Sequence, residues 1–157
     1  MVKPKFKILI KESYLQAIKN SIGTRMFRNF FIIDDKGKKR DVSMNGRHSC
    51  ASFASSVLKL FSLITYPHAT IESTIKDMLK NGWHSTKKLK PGNVLLWEKK
   101  EGNKHMGFFI GGKKAVSNAF FYYRSRTPIA HHFTYGKTGD NQPRRRIEKI
   151  FTHKILE

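Results

Sequence analysis

The sequence predicts a single α+β domain in which helices precede an antiparallel β-sheet. Its 157 residues suit one domain better than two, and a chain of this length can bury enough surface to fold without disulfides or metals. Apolar residues recur at helical spacing over residues 50–64, and they follow strand patterns after residues 91–92. Helices followed by a run of strands are typical of the α+β class.

The N-terminal segment, residues 1–45, is predicted to add a short helix and a β-hairpin. Residues 13–21 carry apolar side chains on one side and are followed by a glycine, which favours a helix end. Residues 26–33 are rich in β-forming side chains, and an Asp-Asp-Lys-Gly turn would return the chain as a partner strand over residues 39–42. We therefore interpret the whole chain as one domain, with this extension preceding a core of residues 46–157.

The long helix predicted from Cys50 is amphipathic. Ser49 precedes it and belongs to the residue types that cap helix N-termini, and Pro67 ends the pattern. A second helix is predicted over residues 70–80, because apolar residues mark one side of it and Asn-Gly follows. The apolar face of the first helix consists of Phe53, Val57, Leu60, Phe61 and Ile64.

The second half of the chain is predicted to form a meander of strands. Glycine-containing turns separate short segments rich in apolar residues, a pattern typical of consecutive antiparallel strands. The predicted strands are residues 94–97, 105–110 and 114–120, one strand within 122–136 and a last one within 146–156.

The chain is strongly basic, with 31 Lys and Arg against 11 Asp and Glu and a formal net charge of +20. Such a charge predicts attraction to a polyanion: nucleic acid, anionic lipid head groups or an acidic cell-wall polymer. The basic residues occur at turns along the whole chain and do not form one helix face, so no nucleic-acid recognition motif is evident. A binding module for a polyanion is one of three functional hypotheses, beside an enzyme and a non-catalytic relative of an enzyme fold, and its binding would weaken steeply with salt.

The compartment expected from the sequence is the cytoplasm. The apolar stretches are far shorter than the ~20 residues that span a bilayer, so no membrane span is predicted. The basic residues 1–7 resemble the start of a signal peptide, but only three apolar residues follow them before Lys11. Export by a route without a cleaved signal stays open.

Cys50 is the first candidate for a functional residue, because it begins the long helix. Unpaired N–H groups and the helix dipole stabilise an anion there, which predicts a lowered thiol pKa and donors for an oxyanion. Its place on the same stripe as Phe53 points its side chain towards the packing partner of the helix. The alternative is a small buried apolar residue with no chemical role.

His105 is the candidate partner of Cys50. It begins a predicted strand in which His105, Gly107 and Phe109 share one face. A glycine inside a strand often marks the close approach of another backbone, so the helix laid over Gly107 would bring the thiol beside the imidazole. The alternative is a polar residue at a strand end.

A third residue should orient the imidazole. If residues 111–112 form a two-residue turn, the hairpin register puts Asn118 directly opposite His105. A longer loop would shift the partner, and Ser117 is the next candidate. His48, two residues before the cysteine, is a possible modulator of the thiol.

No cofactor and no metal is expected. The single cysteine excludes an internal disulfide and any multi-cysteine zinc site. His131 and His132 are adjacent but lack an evident third ligand, so we interpret them as local polar structure. His68 and His84 are interpreted as ordinary surface residues.

Three segments together resemble the NlpC-type cell-wall cysteine peptidases, and the CHAP-type amidases share their papain-like arrangement. Residues 46–57, GRHSCASFASSV, are similar to the nucleophile helix of that family. Residues 91–97, PGNVLLW, are similar to its PGD-strand segment, with Asn in place of Asp. Residues 105–111, HMGFFIG, are similar to its HVGIYIG strand.

The resemblance implies a papain-like fold, with the nucleophile helix packed on an antiparallel meander, and an amide bond of a peptidoglycan stem peptide or cross-link as the substrate. It implies that Cys50 is the nucleophile, that His105 is the base and that the backbone N–H of Cys50 helps to bind the oxyanion. The family often has a second histidine about where Ser117 stands, while the neighbouring Asn118 resembles the asparagine of papain-like peptidases. The same groups could also perform acyl transfer or deamidation, which the sequence does not separate.

Overall fold

The computed structural model describes residues 1–3 and 5–157, and it has the α+β architecture that the sequence predicts. Within these residues lie four α-helices: α1 (Ile10–Asn20), α2 (Cys50–Leu60), α3 (Ile71–Lys80) and α4 (Phe120–Tyr123). The strands are β1 (Phe31–Ile33), β2 (Lys39–Asp41), β3 (His84–Thr86), β4 (Val94–Lys100), β5 (Asn103–Gly111), β6 (Lys114–Ser117), β7 (Ile129–His132) and β8 (Ile147–Thr152). A short 3₁₀ helix, Lys154–Leu156, follows β8. Among the described residues, no helix has both the length and the apolar character that crossing a bilayer requires.

Six of the strands form one antiparallel sheet in the order β3-β8-β4-β5-β6-β7. The run from β4 to β7 is the meander expected from the turns. The last strand, β8, lies between β3 and β4 and extends the sheet on the other side. Strand β3 was not predicted, because its three residues include no apolar side chain. Strands β1 and β2 form a separate antiparallel hairpin in the N-terminal segment.

The main core lies between helices α1, α2 and α3 and one face of the sheet. Phe53 of α2 meets Phe108 of β5 edge-on, with ring centroids 5.5 Å apart. Tyr14 of α1 contacts the same ring at 6.0 Å and donates a hydrogen bond to the Gly92 carbonyl oxygen at 2.8 Å. The N-terminal helix is therefore packed into the same core as α2.

The opposite face of the sheet carries a second, smaller cluster, built around Leu95, Trp97, Phe109, Ala115 and Tyr135. The Trp97 indole donates to the Phe133 carbonyl oxygen at 2.7 Å, which satisfies the polar atom of a buried side chain. The sheet thus has an apolar surface on each side, and the two surfaces hold different sets of residues.

The prediction that α2 lies over Gly107 is wrong. The helix packs against the face of β5 that bears Met106 and Phe108, whereas Gly107 faces the smaller cluster. A Cβ atom at Gly107 would lie 2.6 Å from Ser117 Cβ and 3.1 Å from the Trp97 ring. The glycine therefore accommodates the neighbouring strand and an indole, and not the helix.

Asp77 of α3 fixes the connection between α2 and α3. Its carboxylate accepts hydrogen bonds from the backbone N–H groups of Thr65 and Tyr66 at 2.9–3.0 Å, from His68 Nε2 at 2.7 Å and from the Asn81 side chain at 2.7 Å. Burial alone would raise the pKa of Asp77, but these hydrogen bonds, the one from His68 foremost, hold the pKa well below its usual range. His68 is thus a structural partner of Asp77, and its interpretation as an ordinary surface residue is wrong. The exposed position predicted for His84 is confirmed.

Replacing Asp77 by Asn should destabilise the fold by about 2 kcal/mol, because two backbone donors lose a charged acceptor. Since the folded state lowers the pKa, the carboxylate stabilises the protein above its unfolded pKa of about 3.9, and this contribution is lost as the pH falls through the folded-state value. Urea unfolding at pH 7 and pH 2.5 should show a smaller difference between Asp77→Asn and wild type at the lower pH. The exposed Asp140→Asn is the control, and an equal loss in both variants would contradict this role.

Candidate active site

A cavity of about 530 Å³ opens beside the turn between β4 and β5. Cys50 and His105, the two residues that the sequence analysis paired, both line it. Asn118 and His48 line it as well, and so does Arg145, which the sequence analysis did not single out. A cavity of this volume has the size of ordinary small-molecule sites.

Cys50 begins α2, as predicted, and is partly exposed to the cavity. The first intrahelical bond runs from the Phe53 N–H to the Ser49 carbonyl oxygen, so the N–H groups at the start of the helix have no acceptor within it. Ser49 occupies the N-cap position, but the prediction that its side chain caps the helix is wrong. Its hydroxyl instead donates to the Gly46 carbonyl oxygen at 3.4 Å, which leaves the helix N–H groups available.

The prediction of a lowered pKa for Cys50 is wrong. Burial raises the pKa of the thiol, because a thiolate loses its hydration there. Hydrogen bonds to the backbone of Met106, Ala51 and Cys50 itself, together with the charge of Arg145, act in the opposite direction without overcoming burial. The resting cysteine is therefore a neutral thiol that touches the backbone next to His105.

His105 is 8% exposed and lies on the face of the sheet opposite α2. Its ring centroid is 5.3 Å from that of Trp97 and 6.0 Å from that of Tyr135. Burial holds the pKa of His105 well below its usual value, and the positive charge of the nearby Arg145 lowers it further. The imidazole is therefore neutral at pH 7.

Ser117, and not Asn118, contacts the imidazole. The register predicted from a two-residue turn is wrong: Phe108 pairs with Val116, one residue away from the expected partner, and an irregularity follows near Gly111. Ser117 Oγ lies 2.9 Å from His105 Nε2. Ser117 is thus the partner, as the alternative had it, but not because the loop is longer: Ser117 lies opposite Gly107 and reaches the imidazole two residues along β5.

Asn118 has another position in the site. Its side-chain amide donates to the Gly46 carbonyl oxygen at 2.6 Å, which ties the end of β6 to the loop before Cys50. Its Oδ1 atom is buried and has no hydrogen-bond partner among the described residues. Asn118 therefore supports the loop before the cysteine and does not orient His105.

The Ser117 hydroxyl is the centre of a buried polar network. Besides His105, it contacts His131 Nε2 at 2.6 Å and the Tyr135 hydroxyl at 3.1 Å. The Tyr135 ring is stacked on the His131 ring with centroids 4.3 Å apart. The interpretation of His131 as merely local polar structure is therefore wrong, because β7 brings it against Ser117, which in turn contacts the candidate base.

The positions of the protons in this network follow from its last acceptor. A carbonyl oxygen can only accept, so His131 Nδ1 donates to the His132 carbonyl oxygen at 2.8 Å. Burial lowers the pKa of His131 to about 4, so the ring is neutral at pH 7 and its Nε2 carries no proton. Ser117 must then donate to His131 and accept from Tyr135 and from His105 Nε2. His105 Nδ1 is left unprotonated, which is the state that a general base needs.

His48 lies in the cavity wall, with its ring 5.8 Å from the ring of Phe121 in α4. His132 is separate from the Ser117 network, because its Nδ1 accepts from the backbone N–H groups of Thr134 and Gly136. No group of three or more His, Cys, Asp and Glu that could hold a metal lies within residues 1–3 and 5–157.

Sequence reasoning missed His131, Tyr135 and Arg145. The first two lie in a stretch of which the sequence indicated only that it contains a strand, and the third lies in a basic run that looked like solvated surface. A register for β6 and β7, in which Ser117 pairs with Ile129, would have brought His131 close to Ser117. Nothing in the basic run distinguishes Arg145 from the exposed Arg144 and Arg146.

Comparison of the chain with models of protein families gives no match, and no curated protein matches it in sequence.

In the Ser117→Ala variant, His105 should no longer be held in a single tautomer. In the wild type at pH 7, ¹⁵N NMR of the imidazoles should show His105 protonated at Nε2 and His131 protonated at Nδ1. Without the hydroxyl, His105 loses its acceptor, so the two tautomers should mix while the ring stays neutral. The exposed Ser85→Ala is the matched control, and a wild-type His105 protonated at Nδ1 would contradict the assignment.

Proposed function

We propose that this protein is a thiol hydrolase that cleaves an amide bond, with Cys50 as the nucleophile and His105 as the general base. The observation that supports it is the hydrogen-bond network behind His105, which leaves Nδ1 unprotonated in a cavity that also contains the thiol. A merely structural cysteine and histidine would not require a tautomer fixed by three further side chains. Ser117 is the positioning residue in this proposal.

The reaction begins when the substrate carbonyl enters the cavity. His105 Nδ1 takes the thiol proton while Cys50 Sγ forms a bond to the carbonyl carbon. The N–H groups at the start of α2, that of Cys50 among them, are the donors for the oxyanion that develops. The imidazolium then gives its proton to the leaving amine, the C–N bond breaks, and a thioester remains on Cys50. Water, deprotonated by His105, hydrolyses the thioester and restores the thiol.

The resting state of the proposed pair is neutral. Burial raises the pKa of Cys50 and lowers that of His105, so both shifts disfavour a preformed thiolate–imidazolium pair. Proton transfer therefore accompanies the attack on the substrate. When the imidazolium forms, Ser117 still accepts from Nε2, so the ring keeps its hydrogen bond to the network.

The substrate class follows from the resemblance to NlpC-type peptidases and from the charge. The papain-like arrangement of that family, with a cysteine helix on an antiparallel meander, is compatible with α2 packed on β5. A net charge of +20 suits an anionic wall polymer. We therefore propose the amide bonds of peptidoglycan stem peptides or cross-links as the substrates.

Alkylation by iodoacetamide should distinguish a neutral pair from a preformed ion pair. Since burial raises the thiol pKa, the rate constant should rise with pH and reach its midpoint above the ordinary value of about 8.5. A midpoint below 7 would contradict the neutral resting state. Mass spectrometry of the single alkylated cysteine gives the rate, and Cys50→Ser supplies the blank.

Hydrolysis of peptidoglycan fragments, followed by mass spectrometry, tests the proposed activity. Cys50→Ser should abolish cleavage, and His105→Ala should reduce kcat/KM by about 10²–10⁴, the usual contribution of a general base. Ser117→Ala should reduce kcat/KM by about ten- to a hundredfold, the loss expected when a buried hydrogen-bond partner is removed.

His84→Ala is the matched control, because His84 is exposed and lies on the edge strand β3. Cleavage that survives in Cys50→Ser would overturn the proposal. Salt-sensitive binding of DNA that is equal in wild type and Cys50→Ser, with no cleavage of any fragment, would favour the polyanion-binding module instead.

A further inference from the structure

Arg145 is a buried cation in the wall of the cavity that contains Cys50 and His105. The residue is 4% exposed. Its Nε donates to the Glu98 carbonyl oxygen at 2.9 Å, and its Nη2 donates to the Asn103 carbonyl oxygen at 2.7 Å. These bonds fix the plane of the guanidinium against the ends of β4 and β5. Its Nη1 atom makes no hydrogen bond to the described part of the chain.

The charge of Arg145 is not paired with a carboxylate in the part of the chain that the structure describes. Both of its acceptors are neutral carbonyl groups, and no carboxylate of the described residues lies within 4 Å of it. Buried charges in proteins are normally paired, because an isolated ion loses its hydration without compensation. A fixed, buried and uncompensated guanidinium beside a candidate nucleophile is therefore a site for an anionic group.

The rest of the cavity has the same sign of charge. The other charged side chains in its wall are Arg47, Lys99 and Lys104 against one acid, Glu72. Lys104 is paired with Glu148 at 2.7 Å, outside this lining. An anion that enters the cavity therefore meets a positive wall, with the buried guanidinium at its inner side.

We propose that Arg145 binds a carboxylate of the substrate next to the amide bond that is cleaved. A guanidinium edge matches the planar carboxylate, and its fixed orientation gives recognition without loss of side-chain entropy. The N–H groups at the start of α2 serve the oxyanion, so Arg145 is not needed for that role. The charge of Arg145 also acts on both Cys50 and His105, which agrees with its place beside the reacting groups. This assignment rests on the proposed function and narrows it to amides that bear an adjacent carboxylate.

Two alkylating reagents of nearly equal size test the assignment. Iodoacetate carries a carboxylate and iodoacetamide a neutral amide, and each transfers its CH₂ carbon to Cys50 Sγ with loss of iodide. The ratio of their rate constants is divided by the ratio measured with N-acetylcysteine amide. In the wild type this normalised preference for iodoacetate should be at least about tenfold, the size of a hydrogen bond to a charged group.

Substitutions should show that Arg145 causes this preference for iodoacetate. Arg145→Met should bring the normalised ratio to about one, and Arg145→Lys should retain part of it. The matched control is Arg146→Met, which removes the same charge from the exposed neighbour and should keep the wild-type ratio. Equal ratios in wild type and Arg145→Met, or an equal loss in Arg146→Met, would overturn the assignment.

A binding measurement needs neither a reactive thiol nor a substitution of Arg145, which also holds two backbone carbonyls. In Cys50→Ser, glutarate should shift the NMR signals of the Arg145 Nε–H and the His105 ring, whereas glutaramide should leave them unchanged. Suppose that glutarate binds to Cys50→Ser but that the wild-type Cys50 thiol proves unreactive. That result would refute the proposed hydrolase and keep the carboxylate site. Suppose instead that the reactivity of the thiol depends on His105, that it shows no preference for iodoacetate, and that glutarate shifts no NMR signal. That result would refute the carboxylate site and keep the hydrolase.

Discussion

The packing of α2 against one face of β5 is the interaction on which the candidate site depends. Phe53 rests edge-on against Phe108, and this contact fixes the helix so that Cys50 lies beside the cavity. Loss of such a buried ring typically costs about 3–5 kcal/mol, so the contact is strong enough to hold the helix in place. His105 leaves the same strand from the opposite face. The thiol contacts the backbone of Met106, and the imidazole belongs to the preceding residue of the same strand. One strand therefore determines the positions of both groups.

Burial raises the pKa of Cys50 and lowers that of His105, and both shifts favour the uncharged pair. The thiolate of Cys50 and the imidazolium of His105 are both disfavoured in the resting protein. Arg145 lowers the pKa of both groups and thus helps the thiolate while it opposes the imidazolium. A bound carboxylate would offset the charge of Arg145 and make protonation of His105 easier. In the reaction that we propose, substrate binding and proton transfer are in this way linked through one guanidinium.

The hydrogen-bond network around Ser117 is a row of polar groups buried inside an aromatic cluster. The rings of Trp97, Tyr135 and His131 exclude water from it, which makes an unpaired polar atom costly. Each atom of the chain from His105 to the His132 carbonyl oxygen has a partner, and only one arrangement of protons satisfies them all. The fixed tautomer of His105 is the chemical product of that constraint.

The sequence by itself determined most of the local elements, though not β3 or α4, and singled out Cys50 and His105. Helical spacing after Cys50 and alternation around His105 depend on neighbours within one element, so they can be seen in a single sequence. The tertiary structure alone decided which face α2 covers, that Ser117 rather than Asn118 meets the imidazole, and that His131 and Arg145 join the site. These outcomes depend on strand register and on side chains 12 or more residues apart, and a shift of one residue in a hairpin reverses every face. Local pattern carries no information about such a shift, because packing between the strands determines it.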